Sequence, residues 1–409
     1  MQINTENQHV QIDPRDPEFF SNPYPYYAEL HEKAPVFYWE DFDLWCFTKH
    51  ADVEAVLRDR RLGRKITHLA SREELGWPPE REDLKPFFSI DQNGMLDSEP
   101  PEHTRLRGLV HKAFMARQIE RLRPRIAEIA NDLIDKMEEE GEVDLLSAFA
   151  TPIPVIVITE MLGVPTENST VLLNWSHAMV KMYQLGRTAE DEKAAVKAAE
   201  EFVTYLKEYV AERRKQPKDD LITKLIEVEE EGEKLSEDEL IANCILLLNA
   251  GHEATVNVIG NSVNALLKNP EQLQLLREQA GFIPNAIEEL MRYDTPLHLF
   301  RRWVLEDGVE IGGRKFDFGT EVAVLLGAAN RDPDVFENPH QLDITRAKNP
   351  HTSFGAGIHF CLGAPLARLE LQTALPILLE RLPDLRHAEE PQYLNSYHFH
   401  GLESLRVRC

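Results

Sequence analysis

The chain has 409 residues, of which 43% are hydrophobic, so it is long enough to bury a large apolar core. Its formal net charge of −25 at pH 7 argues against nucleic acids and anionic membranes as binding partners. Its four cysteines lie far apart and include no Cys-x-x-Cys pair, which argues against a disulfide scaffold and suits a reducing cytosol.

The first part of the chain carries no targeting signal. Residues 1–17 are polar and contain no apolar run of the kind that forms a signal peptide. No stretch of about 18 apolar residues occurs anywhere in the sequence. We therefore expect a cytoplasmic protein that does not bind a membrane.

Strand and helix patterns alternate in the N-terminal quarter. Residues 23–34 predict a short amphipathic helix, and residues 36–39 and 44–47 predict two strands that pair as a hairpin. Residues 51–59 again have a helical pattern. Residues 62–94 contain several prolines and predict a long irregular loop, of a kind that is often functional.

Helical periodicity dominates from residue 103 to about residue 276. Ser236 and Glu239 have the spacing of a capping box and predict the start of the longest helix, which runs to about Leu267. This helix is apolar on nearly every side, which predicts a central, buried position. Residues 300–324 contain several glycine turns and predict a group of short strands.

A glycine-rich turn surrounds Cys361 and leads into a helical pattern over residues 362–379. Gly357 and Gly363 allow the backbone to approach a flat cofactor, and glycine also tolerates positive φ. Pro365 suits the first turn of the helix, where a missing N–H costs nothing. The N–H groups at the helix N-terminus favour a thiolate over a thiol. The arrangement predicts an iron-bound thiolate.

This turn resembles the haem-ligand signature of the cytochrome P450 family, in which Phe, Gly, a basic residue, Cys and Gly have fixed spacings. The matching residues are Phe354, Gly357, His359, Cys361 and Gly363. The resemblance extends over nearly the whole chain, from residue 16 to residue 402. It implies a single catalytic domain over residues 1–409 with the mainly α cytochrome P450 fold and a small β-rich region. The haem is then expected between the long central helix and the helix that follows Cys361.

The long helix carries the sequence Ala-Gly-His-Glu-Ala-Thr over residues 250–255, which resembles the oxygen-binding helix of the family. The resemblance implies that Glu253 is the acid that, with an alcohol, delivers protons during dioxygen activation. An acid in an apolar helix is otherwise costly, although capping a break in the helix is an alternative role.

The alcohol position of this motif is occupied by Ala254, so the sequence departs from the family pattern. Thr255 lies about 100° further around the helix. Three interpretations are open. A substrate hydroxyl and ordered water complete the proton relay, or Thr255 serves through a locally distorted helix. In the third, dioxygen activation is poor, which favours uncoupling or the use of peroxide.

Two further sets of residues match the family by position. Glu289 and Arg292 share a helix face and resemble its structural Glu-x-x-Arg motif, with either Arg331 or Arg346 as the third partner. Four basic residues match the donors to the haem propionates, since buried carboxylates need cationic partners. These are His103, Arg107, Arg302 and His359. The implied cofactor is haem b, with Cys361 as the ligand of its metal.

The resemblance places the substrate pocket near residues 62–96, 170–187, 296–300 and 394–399 and the long helix. Their side chains are mostly apolar with a few polar exceptions, which indicates a mid-sized, largely apolar organic substrate. Each candidate has ordinary core packing as its alternative role. The candidates are Met179, Met182, Leu247, Leu297, His298, Leu299, Phe300, Tyr397, His398 and Phe399.

The resemblance implies an oxidoreductase, a haem-thiolate monooxygenase that inserts one oxygen atom from O2 into its substrate. No flavin or iron–sulfur motif is visible, so we expect a separate ferredoxin or flavodoxin donor with its reductase. Several basic residues either form a docking patch for this donor or are scattered, solvated charges. They are Arg107, Lys112, Arg117, Arg346, Lys348 and Arg368.

Two alternative functions are open. One is a peroxide-driven or otherwise atypical haem-thiolate enzyme, which Ala254 favours. The other is a non-catalytic haem-binding sensor, against which the retained Glu253 argues.

Overall fold

The computed structural model describes residues 1–114, 119–184, 186–228 and 232–409. These residues form two compact units. Unit 1 comprises Met1–Ile66, Arg123–Thr151 and Ala254–Cys409, and unit 2 comprises Thr67–Leu122 and Pro152–Glu253. The long helix, Glu237–Lys268, contributes residues to both.

Helices make up most of the regular structure, which confirms the predicted mainly α fold with a small β-rich region. The α-helices are Pro17–Ser21, Tyr24–Lys33, His50–Arg58, Lys85–Asn93, Glu102–Ala113, Arg123–Glu140, Pro152–Leu162, Ser169–Val180, Ala189–Lys215, Leu221–Glu227, Glu237–Lys268, Pro270–Glu278, Ile283–Tyr293, Leu326–Ala329 and Ala364–Arg381. None of these helices is long and apolar enough to cross a membrane.

The named strands of the described chain all lie in unit 1. They are β1 (Gln2–Asn4), β2 (His9–Gln11), β3 (Val36–Trp39), β4 (Leu44–Phe47), β5 (Leu62–Gly63), β6 (Glu142–Asp144), β7 (Leu299–Val304), β8 (Val309–Ile311), β9 (Arg314–Phe316), β10 (Glu321–Leu325), β11 (Arg386–His387), β12 (Gln392–Tyr393), β13 (Leu402–Ser404) and β14 (Arg406–Arg408). The largest sheet has the order β1-β2-β3-β4-β10-β7-β5. Strands β3 and β4 pair antiparallel, which confirms the predicted hairpin. Strand β10 pairs parallel with β4 and antiparallel with β7.

Alternate side chains of this sheet enter two apolar clusters, as the two-residue period of a strand requires. Phe37 and Ala323 lie in one cluster with Tyr27 of helix Tyr24–Lys33. Phe47 and Val324 lie in the other cluster, which also contains buried residues of helix His50–Arg58. The sheet is therefore covered by apolar side chains on both faces.

Unit 2 contains a buried ion pair that ties the end of one helix to the start of the next. Arg213, which is 2% exposed, pairs with Asp220 and also donates to the Gly163 carbonyl. Gly163 has φ of +80°, and a Cβ there would lie 2.2 Å from Asp220 Oδ2. Because no side chain fits at this position, the packing of the ion pair requires glycine.

The predicted boundaries of the long helix are confirmed. The Ser236 N–H donates to Glu239 Oε2 at 2.8 Å, and the Glu239 N–H donates to Ser236 Oγ at 3.2 Å, which completes the capping box. The prediction of an irregular loop over residues 62–94 is wrong in part, because it contains helix Lys85–Asn93. The proline of this helix lies in its first turn, where proline is compatible with helical backbone. The apolar residues Phe87 and Ile90 of the helix are buried.

A buried carboxylate organises the region that follows helix Ile283–Tyr293. Glu289 and Arg292 are each 0% exposed and make two hydrogen bonds of 2.8 Å. Arg346 Nε donates to Glu289 Oε2 at 3.0 Å, and the backbone N–H of Asp343 donates to Oε1 at 2.9 Å. Arg346 is therefore the third partner of the motif.

Arg331, the other candidate for the third partner of Glu289 and Arg292, contacts two tyrosines instead. Its guanidinium lies over the rings of Tyr24 and Tyr293, at 4.1 and 4.2 Å from their centroids, and donates to the Tyr293 carbonyl. The structure thus decides between the two arginines that the sequence left open.

We predict that Glu289→Gln lowers the free energy of unfolding by about 3–5 kcal/mol, because two buried guanidinium groups lose their carboxylate. Urea or thermal unfolding measures the change. The matched control is Glu54→Gln, which breaks the exposed pair between Arg58 and Glu54, whose side chains are 61% and 43% exposed. It should cost less than about 1 kcal/mol. Equal losses in the two variants would contradict the assigned role.

Candidate functional site

The turn before Cys361 has a backbone that requires glycine at two positions. Gly355 and Gly357 both have φ of +69°. A Cβ on Gly357 would lie 2.2 Å from the Leu57 carbonyl oxygen, so no other residue fits. The Cys361 N–H donates to the Phe354 carbonyl at 2.9 Å, which closes the turn, and the Cys361 residue is exposed.

The helix after the cysteine begins two residues later than predicted, at Ala364, and ends at Arg381. Pro365 lies in its first turn, as expected. Gly363 has an ordinary φ of −78°, so its role differs from that of Gly355 and Gly357. A Cβ on Gly363 would lie 3.9 Å from Cys361 Sγ, which places the sulfur beside the start of the helix.

Arg368 connects the cysteine turn to helix Ile283–Tyr293. Its guanidinium donates to the two carboxylate oxygens of Glu288 at 2.6 and 2.8 Å and lies 4.5 Å from the centroid of the Phe354 ring. His351 Nε2 lies 3.0 Å from Glu288 Oε2. The sequence analysis did not identify Glu288, because its partners Arg368 and His351 lie far from it in the sequence. The only local signal was its position next to Glu289.

The environment of Glu288 favours its ionised form. Partial burial raises the pKa of Glu288, but the hydrogen bonds from Arg368 and His351 outweigh it and lower the pKa to about 2. The carboxylate is therefore charged near neutral pH and anchors the cysteine turn by a bidentate ion pair.

Unit 1 also contains two of the predicted cofactor-binding residues. Arg302 lies on β7 and is 2% exposed, and one of its guanidinium N–H groups donates to the Arg301 carbonyl at 2.8 Å. His359 ends the short turn Gly357–His359, two residues before Cys361. The structure brings Cys361, Arg302 and His359 into the same unit.

Unit 2 contains the other two predicted cofactor-binding residues. His103 and Arg107 lie on helix Glu102–Ala113, and their spacing places both on one face of it. His103 is buried and Arg107 is half-buried.

Glu253 lies in unit 2 in a cluster with two histidines that the sequence did not associate. Its Oε1 is 3.2 Å from His177 Nε2 and 3.5 Å from His252 Nε2. Burial raises the pKa of Glu253, but its interactions with His252 and His177 outweigh this and lower it. Burial lowers the pKa of His177. Sequence reasoning missed His177 because it comes from another helix, Ser169–Val180.

Ala254 and Thr255 lie in uninterrupted α-helix, since Glu237–Lys268 is helical throughout. Thr255 is therefore rotated by about 100° from position 254. The interpretation in which a locally distorted helix lets Thr255 act finds no support. The same regularity argues against a helix break that Glu253 would cap.

Two of the candidate pocket residues, His298 and Tyr397, form a buried hydrogen-bonded chain with Tyr27. His298 is buried, and its Nδ1 lies 2.6 Å from the Tyr27 hydroxyl, which lies 2.9 Å from the Tyr397 hydroxyl. Burial also lowers the pKa of His398 to about 4. In unit 2, Met179 remains beside the long helix, with its sulfur 3.8 Å from Asn249 Nδ2.

Two members of the predicted basic patch lie in ion pairs. Arg346 is 9% exposed and binds Glu289, and Arg368 binds Glu288, so both charges are engaged in ion pairs. Arg117 lies outside the described residues. Lys112 and Lys348 are exposed.

Comparison with known proteins gives consistent matches. The family model described as Cytochrome P450 matches residues 78–392. Polyketide biosynthesis cytochrome P450 PksS of Bacillus subtilis (strain 168) is 40% identical over 408 residues, covering 97% of this chain and 98% of that protein. The 6-deoxyerythronolide B hydroxylase of Saccharopolyspora erythraea is 38% identical over 394 residues, covering 94% of this chain and 95% of that protein. The crystal structure of P450BioI in complex with a hexadec-9Z-enoic acid ligated acyl carrier protein is similar with a TM-score of 0.89 and 36% identity, covering 96% of this chain and 100% of that chain.

The lowered pKa of Glu288 predicts a pH-dependent contribution to stability. The ionised group stabilises the folded chain above its ordinary pKa of 4.5, and this contribution is lost as the pH falls towards about 2. We expect Glu288→Gln to cost about 2 kcal/mol at pH 7, and we expect the difference from the unsubstituted protein to shrink below about pH 5. Urea unfolding at pH 7, 5 and 4 measures it.

The control for this experiment is Glu128→Gln, which removes an exposed partner of Arg125 at 2.7 Å. Its stability should follow that of the unsubstituted protein at each pH. A difference between Glu288→Gln and the unsubstituted protein that stays constant with pH would argue against the ion pair as its cause.

Proposed function

The chain belongs to the cytochrome P450 family, and we propose that it inserts one oxygen atom from O2 into a mid-sized, largely apolar organic substrate. The observation that carries the proposal is the exposed Cys361, held by a glycine turn beside the start of helix Ala364–Arg381. Membership of the family makes the protein a haem-dependent oxidoreductase of the monooxygenase type. The proposal adds the roles of the residues and the class of substrate.

The residues fit a haem. Cys361 is exposed on a turn that the hydrogen bond from its N–H to the Phe354 carbonyl closes, so a flat group can reach its sulfur. The proposed propionate donors are His103, Arg107, Arg302 and His359. The proposed form is haem b. When bound, the haem supplies the redox chemistry of dioxygen, in which the thiolate ligand promotes O–O cleavage.

The chain's own contribution to the reaction is to place the sulfur and to move protons. The turn, Arg368 and Glu288 fix Cys361 relative to the helix that follows it. We assign proton delivery to Glu253, whose charged form is favoured by His252 and His177. Because Ala254 has no hydroxyl and Thr255 is rotated away, a substrate hydroxyl and ordered water complete the relay. Ala254 and Thr255 thus shape the site without supplying the hydroxyl group of the proton relay.

The proposed electron donor is a ferredoxin or flavodoxin with its own reductase, acting in the cytoplasm. The relatives named for polyketide biosynthesis and for 6-deoxyerythronolide B suggest polyketide-type compounds as the first substrates to screen. The mostly apolar candidate lining, including Met179 and Leu247, supports that class.

The second candidate function is peroxide-driven oxidation, which Ala254 favours because the usual alcohol of the proton relay is missing. Isotope labelling separates the two functions. The holoenzyme is supplied with NADPH, a surrogate ferredoxin system and ¹⁸O₂. One ¹⁸O atom in the product supports the proposal. Product formed only with hydrogen peroxide, and none with the reducing system, would overturn it.

We predict that Glu253→Gln lowers the rate of O2-driven turnover by about 100-fold, because the variant cannot pass a proton. Turnover with hydrogen peroxide should change much less, since peroxide already carries its protons. The two rates are measured on the same haem-loaded preparation. Equal losses in the two rates would indicate that Glu253 affects the site as a whole and not proton delivery.

We also predict that Ala254→Thr raises the fraction of NADPH converted to product several-fold for substrates that lack a hydroxyl near the reacting carbon. Hydroxylated substrates should gain little, since they already complete the relay. Ala254→Val is the matched control, because it has nearly the same shape without the hydroxyl. If coupling stays unchanged with both kinds of substrate, position 254 does not limit proton delivery.

A further inference from the structure

A cluster in unit 2 has the composition of a metal site. His177 belongs to helix Ser169–Val180, whereas His252 and Glu253 are adjacent on the long helix. One ligand atom from each of the three side chains lies within 4.8 Å of the others. Two imidazoles and a carboxylate are the donor set of many open zinc sites, in which the fourth position holds water.

The tautomer of His252 directs a lone pair into this cluster. Its Nδ1 lies 2.9 Å from the Leu248 carbonyl oxygen, which accepts a hydrogen bond only from a protonated nitrogen. In the neutral ring, Nε2 therefore carries the lone pair. A carbonyl that orients the ring in this way is the usual partner of a metal-binding histidine.

No group among the residues that the structure describes donates a hydrogen bond to His252 Nε2. The side chain is 1% exposed, and Nε2 has no hydrogen-bond partner in the described part of the chain. The nearest charged atom is Glu253 Oε1 at 3.5 Å. At this separation the two atoms leave space between them, and a cation bound to both would give the buried nitrogen a partner.

Two of the three spacings, those from Glu253 to each histidine, suit a small tetrahedral cation. Bonds of about 2.0–2.2 Å to zinc require ligand atoms about 3.3–3.6 Å apart. The distances from Glu253 Oε1 to His177 Nε2 and His252 Nε2 are 3.2 and 3.5 Å. The His177 side chain is 53% exposed, so it has room to adjust and gives an ion a route from solvent.

We propose that His177 Nε2, His252 Nε2 and Glu253 Oε1 form a binding site for a divalent transition-metal cation of the zinc class. Imidazole ligands favour such ions over Mg²⁺ and Ca²⁺, which prefer all-oxygen sites. A cation held there occupies the carboxylate of Glu253. It therefore inhibits O2-driven turnover, a consequence that rests on the proposed role of Glu253, whereas the binding itself does not.

The test titrates the haem-loaded protein with ZnCl2 by isothermal calorimetry, after removal of metals with a chelator. We expect one site that His177→Gln weakens at least about 10-fold. His177 is exposed, so this variant should fold normally. The control is His9→Gln, since His9 Nδ1 lies 3.2 Å from Glu40 Oε1 and the described residues place no third His, Cys, Asp or Glu ligand beside them. It should leave the site unchanged, and MgCl2 should not compete.

The outcomes separate the metal site from the proposed function. Zinc binding that is unchanged in His177→Gln, or absent from the unsubstituted protein, overturns the site. Binding that depends on His177 and inhibits NADPH-driven turnover supports both. Binding that depends on His177 without inhibition upholds the site and contradicts proton delivery by Glu253.

Discussion

The position of one sulfur atom, that of Cys361, depends on backbone that only glycine can adopt. Gly357 has positive φ and lies so close to the Leu57 carbonyl that a single added carbon would collide with it. Two adjacent carboxylates then hold the surrounding segments. Glu288 binds Arg368 of the helix after the cysteine, whereas Glu289 binds Arg292 and Arg346. Neighbouring residues of one helix thus serve different partners, because successive side chains of a helix point in different directions.

The second constraint concerns Glu253, for which we propose two uses that exclude each other. A carboxylate that passes protons must be able to exchange them, and a carboxylate that binds a metal ion cannot. His252 and His177 favour the charged form of Glu253 in the absence of metal. The same two rings supply the nitrogen ligands that would capture a zinc-type ion. In the proposed proton delivery, Ala254 increases the importance of Glu253, because the neighbouring position offers no hydroxyl.

Much of the fold and the centre of the site could be predicted from local patterns. The β3–β4 hairpin, the capping box at Ser236 and the cysteine turn are each encoded within a few consecutive residues. Other features depend on contacts between distant segments and left no local signal. His177 meets His252 from another helix, and Arg346 rather than Arg331 reaches Glu289. Arg368 was predicted to lie on an exposed patch because its sequence does not reveal Glu288 beside it. Helix Lys85–Asn93 was missed because its proline was interpreted as a sign of a loop.

In the proposed mechanism, Cys361 ligates haem iron as a thiolate. The carbon monoxide difference spectrum of the reduced, purified protein tests this most directly. We expect a band at about 450 nm, which the Cys361→Ser variant should lose. A band at about 420 nm in fresh, unsubstituted protein would mean that the sulfur is protonated or displaced, and it would contradict the monooxygenase mechanism built on this residue.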